Sequence, residues 1–308
     1  MKSSKIALVT GANSGIGYEA VKALLKSDKA YHVLLGSRSL EKGHAAIESL
    51  HKECPDVMNA AELLQIDLTS DDSIEKAFEK VKAKHGRLDV LINNAGWYTS
   101  RPWYCMKADG LPGATFDIAF LQGKVSLREC FNKAYDVNVA GTNVCTWTFV
   151  PLLLKSSDPR LIFVAGLSQL TVAAQWPDKP YFPTPPQPAG WPKSIHFETI
   201  GYRCSKVALN MLMLGTLLTS VVALSLLGAS LMTVIADWNF KLKADGVKVW
   251  CVGPGMLATN LGGLGPEKAA EMGAGHPRAG GDIIRKVVEG ERDTDVGKIA
   301  NKDGLSAW

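Results

Sequence analysis

The sequence predicts a single α/β domain built on a doubly wound parallel sheet. Three observations carry that prediction. Short apolar runs alternate with helical patterns along the chain, as in a parallel sheet covered by helices on both faces. The first of these runs, Ile6-Ala7-Leu8-Val9, passes through a glycine-rich turn directly into a helical pattern that includes Leu24 and Leu25. The 308 residues, 46% apolar and 21% charged, are enough for one full core.

Taken in order, the elements place every notable motif at the carboxyl end of a strand. The opening turn reads Thr10-Gly11-Ala12-Asn13-Ser14-Gly15-Ile16-Gly17. Its glycines let backbone come close to a pyrophosphate, and the helix N-terminus behind it offers amide donors and a positive dipole end. The unit therefore reads as a Rossmann-type dinucleotide site, with Gly11, Asn13, Ser14, Gly15, Ile16 and Gly17 at the phosphates. A second strand over 31–35 ends in Gly36-Ser37-Arg38-Ser39. Sites for NAD usually place an acid here for the ribose 2′-hydroxyl. This chain has Ser37, Arg38 and Ser39 instead, which suit a 2′-phosphate and so NADP (NADPH). The third strand, 63–67, ends at Asp67, within reach of an adenine. The fourth, 88–92, runs into Asn93-Asn94-Ala95-Gly96. The fifth spans 161–164, and the sixth, 247–252, is followed by Pro254-Gly255. In a doubly wound sheet, ligand binds outside these carboxyl ends.

Tyr202 and Lys206 are four residues apart, so a helix presents both on one face. A phenol titrates near pH ~10 in isolation. A cation held beside it favours the phenolate and makes the phenol a better acid near neutral pH.

Taken together, Thr10-Gly11 through Gly15-Ile16-Gly17, Asn93-Asn94-Ala95-Gly96, Asn138 in Asn138-Val139-Ala140-Gly141, Tyr202 with Lys206, and Pro254-Gly255 with Thr259 resemble the short-chain dehydrogenase/reductase family. The resemblance runs from Ile6 to about Gly304. The long segment before Tyr202 and the setting of Arg38 are similar to carbonyl-reductase-like members, which use NADPH. It implies an enzyme that reduces a ketone, aldehyde or quinone-like carbonyl to an alcohol, or the reverse. Tyr202 would be the general acid for the carbonyl oxygen while NADPH delivers hydride. Lys206 would hold the nicotinamide ribose and lower the Tyr202 pKa. Asn138 would anchor a water leading from Lys206 to solvent, and Thr259 would hold the carboxamide. Asn94, Gly96, Pro254 and Gly255 fall beside the cofactor on the same reading. A cofactor-binding sensor or scaffold without turnover is the rival reading.

The chain departs from that pattern in several places. Counted without gaps, the serine expected past the fifth strand falls on Gly166, and Ser168 fills the role only if the loop is shifted. Losing that donor to the oxyanion would cost on the order of a hundredfold in rate. No charge falls between Lys206 and Asp237. The stretch from Lys206 to Pro254 is longer by roughly twenty residues than a crossover helix, a strand and two short loops require. Joining Leu214 to Asp237 restores an amphipathic helix stopped by Gly246. Residues 215–236 are accordingly read as an insertion, such as a retained intron translated in frame. A buried helical extension and a membrane span are the alternatives. The aromatic-rich segment 97–123 is a second insertion or a substrate lid. Residues 175–199 carry Trp176, Tyr181, Phe182 and Trp191 among prolines, and read as a stiff loop walling a pocket for an apolar or aromatic carbonyl substrate. Leu261, Leu264 and Met272 would close the other side.

Composition excludes other classes. A net charge of +4 with interspersed signs gives no nucleic-acid patch. The six cysteines form no CxxC pair, and no histidine spacing suits zinc, so no metal is expected and the thiols read as reduced. The first strand starts within six residues of Met1, leaving no room for a signal peptide and favouring a cytoplasmic protein. Oligomeric state stays open.

Overall fold

The computed structural model describes residues 4–96, 125–165, 189–190, 200–214, 238–261 and 265–306. Its strands are β1 (Lys5–Val9), β2 (Tyr31–Ser37), β3 (Ala60–Gln65), β4 (Val90–Asn93), β5 (Arg160–Val164), β6 (Lys248–Val252), β7 (Ile299–Asn301) and β8 (Gly304–Ser306). They form one sheet in the order β3-β2-β1-β4-β5-β6-β7-β8. Every neighbouring pair is parallel except β7 with β8. The strand order reverses between β1 and β4, and that switch point opens the crevice in which such sheets bind ligand.

The strands alternate side chains between two cores, as a period of two requires. The helices are α1 (Gly15–Leu25), α2 (Leu40–Glu53), α3 (Asp71–His85), α4 (Leu127–Tyr135), a π-helical turn (Asp136–Gly141), α5 (Thr142–Leu153), α6 (Ile200–Leu214), α7 (Trp238–Lys241), α8 (Pro266–Glu271) and α9 (Arg278–Glu289). Ala7, Val9, Val33 and Leu35 face α1, α2 and α9 through Ala20, Leu24, Leu50, Ile284 and Val287. Leu8, Leu34, Leu91 and Phe163 face α3, α5 and α6 through Ile74, Val81, Phe149, Leu209 and Met213. Serine side chains cap two of the helices that follow strands. Ser39 accepts from the Lys42 amide to open α2, and Ser70 from the Ser73 amide to open α3, both at 3.3 Å.

The six expected strands form, the fourth (expected over 88–92) at Val90–Asn93 and the third with the larger displacement. The third was expected over 63–67 and lies at Ala60–Gln65. Its partner β2 ends at Ser37, opposite Gln65, and the Ile66 amide makes the last bond, to the Ser37 carbonyl at 3.0 Å. Ile66 and Asp67 therefore have no strand beside them, and Asp67 begins the loop. The closing strands β7 and β8 have three residues each, too few for an alternation to be read.

Candidate active site

The glycine-rich turn is fixed from behind by Thr10 and Asn94. The Thr10 hydroxyl accepts from the Asn94 and Ala95 amides at 3.1 and 3.0 Å. The Asn94 side-chain amide donates to the carbonyls of Thr10 (2.9 Å) and Gly11 (3.2 Å). A Cβ on Gly17 would come within 2.4 Å of that amide nitrogen, so only glycine lets α1 start this close to the β4 loop. The Asn94 side-chain amide thus shapes the turn through the backbone carbonyls just past β1. Ile16 also turns inward, against the core shared by α1 and α9.

In front of the turn lies a cleft of about 640 Å³. Gly11, Asn13, Ser14, Gly15, Ser37, Arg38, Asp67 and Gly96 all line it, which unites residues from β1, β2, β3 and β4 as expected. At its β2 end the buried Ser37 hydroxyl donates to the Ser39 carbonyl (2.9 Å) and lies 3.3 Å from Asn13 Oδ1. Arg38 and Lys42 stand on the wall there, and no acid ends β2. Lys42 is a residue that sequence reasoning missed. It sits three residues after the Ser39 cap, where the first turn of α2 returns it to the cleft, so the cap was the usable signal. Tyr18 and Asn260 also line the cleft, and nothing in the sequence pattern marks them. Asp67 accepts from the Thr69 amide and hydroxyl, which fixes its carboxylate at the mouth of the loop after β3. Small residues and backbone donors facing a long cleft fit an extended dinucleotide.

At the other end, α6 presents Tyr202 and Lys206 together. The Lys206 ammonium donates to the Val164 carbonyl at 2.9 Å and lies 5.8 Å from the centre of the Tyr202 ring. A Cβ on Gly96 would meet Asn138 Oδ1 at 3.4 Å and Lys206 Nζ at 3.6 Å, so the three residues share one corner. Asn138 is fully buried in the π-helical turn and donates to Ser205 Oγ at 2.9 Å. Ser205 in turn donates to the Tyr202 carbonyl at 2.7 Å. Asn138, Ser205 and α6 thereby form one connected unit, of which only Ser205 was not anticipated. Burial lowers Lys206 to about 8 and pushes the Tyr202 phenol up. Desolvation acts on both in the direction of the neutral form. The depression of Tyr202 expected from its neighbouring cation is therefore opposed by burial.

The remaining expected residues divide. Pro254, Gly255 and Thr259 lie in the loop after β6, where Gly255 has φ 79 and the Thr259 methyl faces Gly15. Met272, expected over the pocket, is 56% exposed on α8's far end, because the chain turns there toward α9. Ser168, Leu264, 97–123 and 215–236 lie outside the described residues, as does 175–199 apart from 189–190. Among the described residues no helix is long and apolar enough to cross a membrane.

The comparisons with known proteins agree with this geometry. The family model described as short chain dehydrogenase matches residues 5–177. The short-chain dehydrogenase/reductase tropE of Talaromyces stipitatus is 40% identical over 99% of this chain and 97% of its own length. The short-chain dehydrogenase/reductase eupG of a Phoma species is 35% identical over 98% and 97%. Among solved structures, NADPH-bound carbonyl reductase from chicken fatty liver matches with a TM-score of 0.66 at 20% identity, covering all of both chains. That last likeness speaks for the fold.

Proposed function

The chain belongs to the short-chain dehydrogenase/reductase family of oxidoreductases, and from that premise we propose that it is an NADPH-dependent reductase of an apolar or aromatic ketone, aldehyde or quinone-like carbonyl compound. One observation carries the reading: Tyr202, Lys206 and Asn138 converge beside Gly96, at the end of the glycine-lined cleft. A bound nicotinamide would supply the hydride. The protein's part is to place a proton and hold the partners. Burial keeps the proton on Tyr202 Oη until a carbonyl oxygen accepts it. Lys206, anchored on the Val164 carbonyl, directs its remaining hydrogens toward the corner that Asn138 and Gly96 complete. Asn138 fixes α6 against the π-helical turn through Ser205, so acid and ammonium keep their spacing.

The preference for NADPH is supported by Arg38 and Lys42 on the cleft wall and by the absence of an acid at the end of β2. A cytoplasmic setting is supported by the lack of any disulfide among the described residues. The test is a pair of measurements on full-length protein. NADPH is expected to bind at least tenfold more tightly than NADH, since a charge-assisted phosphate contact contributes about 1.5–3 kcal/mol. Tyr202→Phe is expected to lower turnover of an aromatic ketone or quinone by about 10²–10⁴-fold. Its NADPH affinity should stay within a few fold. Turnover unchanged by Tyr202→Phe overturns the mechanism, and equal affinity for NADH overturns the cofactor assignment.

A further inference from the structure

A second cluster of chemistry-bearing side chains lies at the outer edge of the sheet, and the reductase reading leaves it unused. His32 is the second residue of β2, Glu62 the third of β3, and His85 the last of α3. The register pairs His32 with Ala60 and Leu34 with Glu62, so His32 and Glu62 project from the same face of adjacent strands. The helix α3 packs over that face and ends at the left-handed Gly86, which leaves His85 above the pair.

His32 Nε2 lies 3.1 Å from one Glu62 oxygen, and His85 Nε2 lies 3.5 Å from the other. The two rings are 4.9 Å apart between centres, and the three ligating atoms all fall within 4.8 Å of one another. A tetrahedral zinc ion with bonds near 2.0–2.1 Å holds its ligands roughly 3.3–3.5 Å apart, so closing this set requires movements of only about 1 Å. Both Nε2 atoms are shut off from solvent, and neither makes a hydrogen bond of acceptable geometry. Buried polar atoms left in that state are rare and costly. Here two of them face one carboxylate, and a shared cation satisfies both at once. Lys84 contacts Glu62 from the solvent side, but its side chain is 54% exposed and free to swing outward.

We propose that His32, Glu62 and His85 form a site for a zinc-type divalent transition metal, with solvent completing its coordination, that fastens the end of α3 to the β2–β3 edge. Imidazole with one carboxylate suits zinc better than calcium or magnesium, which prefer all-oxygen sets. The site lies five residues before Ser37 along β2, about 16 Å from the cleft at strand rise. It therefore acts on stability and not on hydride transfer.

The test uses full-length protein stripped by chelator dialysis, titrated with Zn²⁺ by calorimetry and with Co²⁺ by visible absorption. One equivalent is expected to bind and raise the melting temperature, with a Co²⁺ spectrum free of thiolate charge transfer. His32→Ala and His85→Ala are each expected to weaken binding by about 10–100-fold, the range typical of losing a metal-site partner. His85→Gln, which keeps size and polarity, should weaken it likewise while its metal-free melting temperature matches wild type. Lys84→Gln should tighten binding by removing the competing cation. Zinc binding that survives both histidine substitutions, a thiolate spectrum, or no binding in stoichiometric titration overturns the proposal.

Discussion

Lys206 is nearly devoid of solvent contact yet carries an ammonium, which donates to the Val164 carbonyl. Burial disfavours the charged form and brings the group to about 8, while the nearby Cys251 thiol works slightly the other way. The sign follows directly. The folded protein holds the charge below about pH 8 and loses it as pH rises through that value. If the ammonium positions the nicotinamide ribose, kcat/KM should fall on the basic side with a midpoint near 8. A profile that stays flat between about pH 7 and 9.5 would remove Lys206 from that role. This corner was largely legible in the sequence, because i and i+4 on a helix must share a face. Its electrostatics were not. The spacing of Tyr202 and Lys206 suggests a phenol made more acidic, whereas the packing around α6 desolvates both groups. Burial is a property of what else surrounds the helix, and two residues cannot report it. The bonds from the Asn94 side chain to the Thr10 and Gly11 carbonyls are likewise contacts between two loops that no local pattern encodes.

At the scale of elements, the amino ends of β1, β5 and β6 are joined by one charge network that periodicity could not reveal. Arg160 opens β5 and is 3% exposed. Its guanidinium donates to the Val287 carbonyl of α9 at 2.8 Å and to Asp293 at 2.6 Å. Asp158 accepts from Lys5 of β1 at 2.7 Å and from Lys248 of β6 at 3.0 Å. Burial alone would raise the Asp158 carboxyl, but Lys5, Lys248 and Arg160 outweigh it and hold it far below the usual range. Asp293 is lowered in the same way by Arg160 and Lys248. Because the folded-state values are depressed, their stabilisation is fully present above the unfolded value near ~3.9 and is lost as pH falls further. Asp158→Asn should therefore lower the urea midpoint at pH 7 and show a smaller further drop at pH ~3 than wild type. Parallel acid curves for the two proteins would mean the network contributes nothing to folding. The strands themselves were readable from apolar runs, and the β3 shift arose only because β2 stops pairing at Ser37. Gly141 belongs with the unreadable part. A Cβ there would fall 1.9 Å from the Leu68 carbonyl, a contact across two elements that no local pattern encodes.

For the whole molecule, the question is whether residues 215–236 belong to the folded unit. The helix α6 enters the core through Leu209 and Met213, which pack with Val249 and Cys251 of β6. The chain is described again from Trp238, and α7 packs back against α6 and β6. Trp238 is 3% exposed, donates to Asn143 of α5 at 3.0 Å, and meets Trp147 edge-on at 6.1 Å. Trp238 thus lies beside α6, and from there a turn at Gly246 suffices to reach β6. We therefore propose that a chain with Leu214 joined to Asp237 folds and binds NADPH as tightly as the full-length protein. Side-by-side titration and thermal melting of the two proteins check this. Equal affinity with an equal or higher melting temperature identifies the segment as an insertion, and a shorter spliced transcript would then account for its origin. Loss of NADPH binding in the shortened protein, with the full-length chain intact, would make 215–236 a working part of the fold.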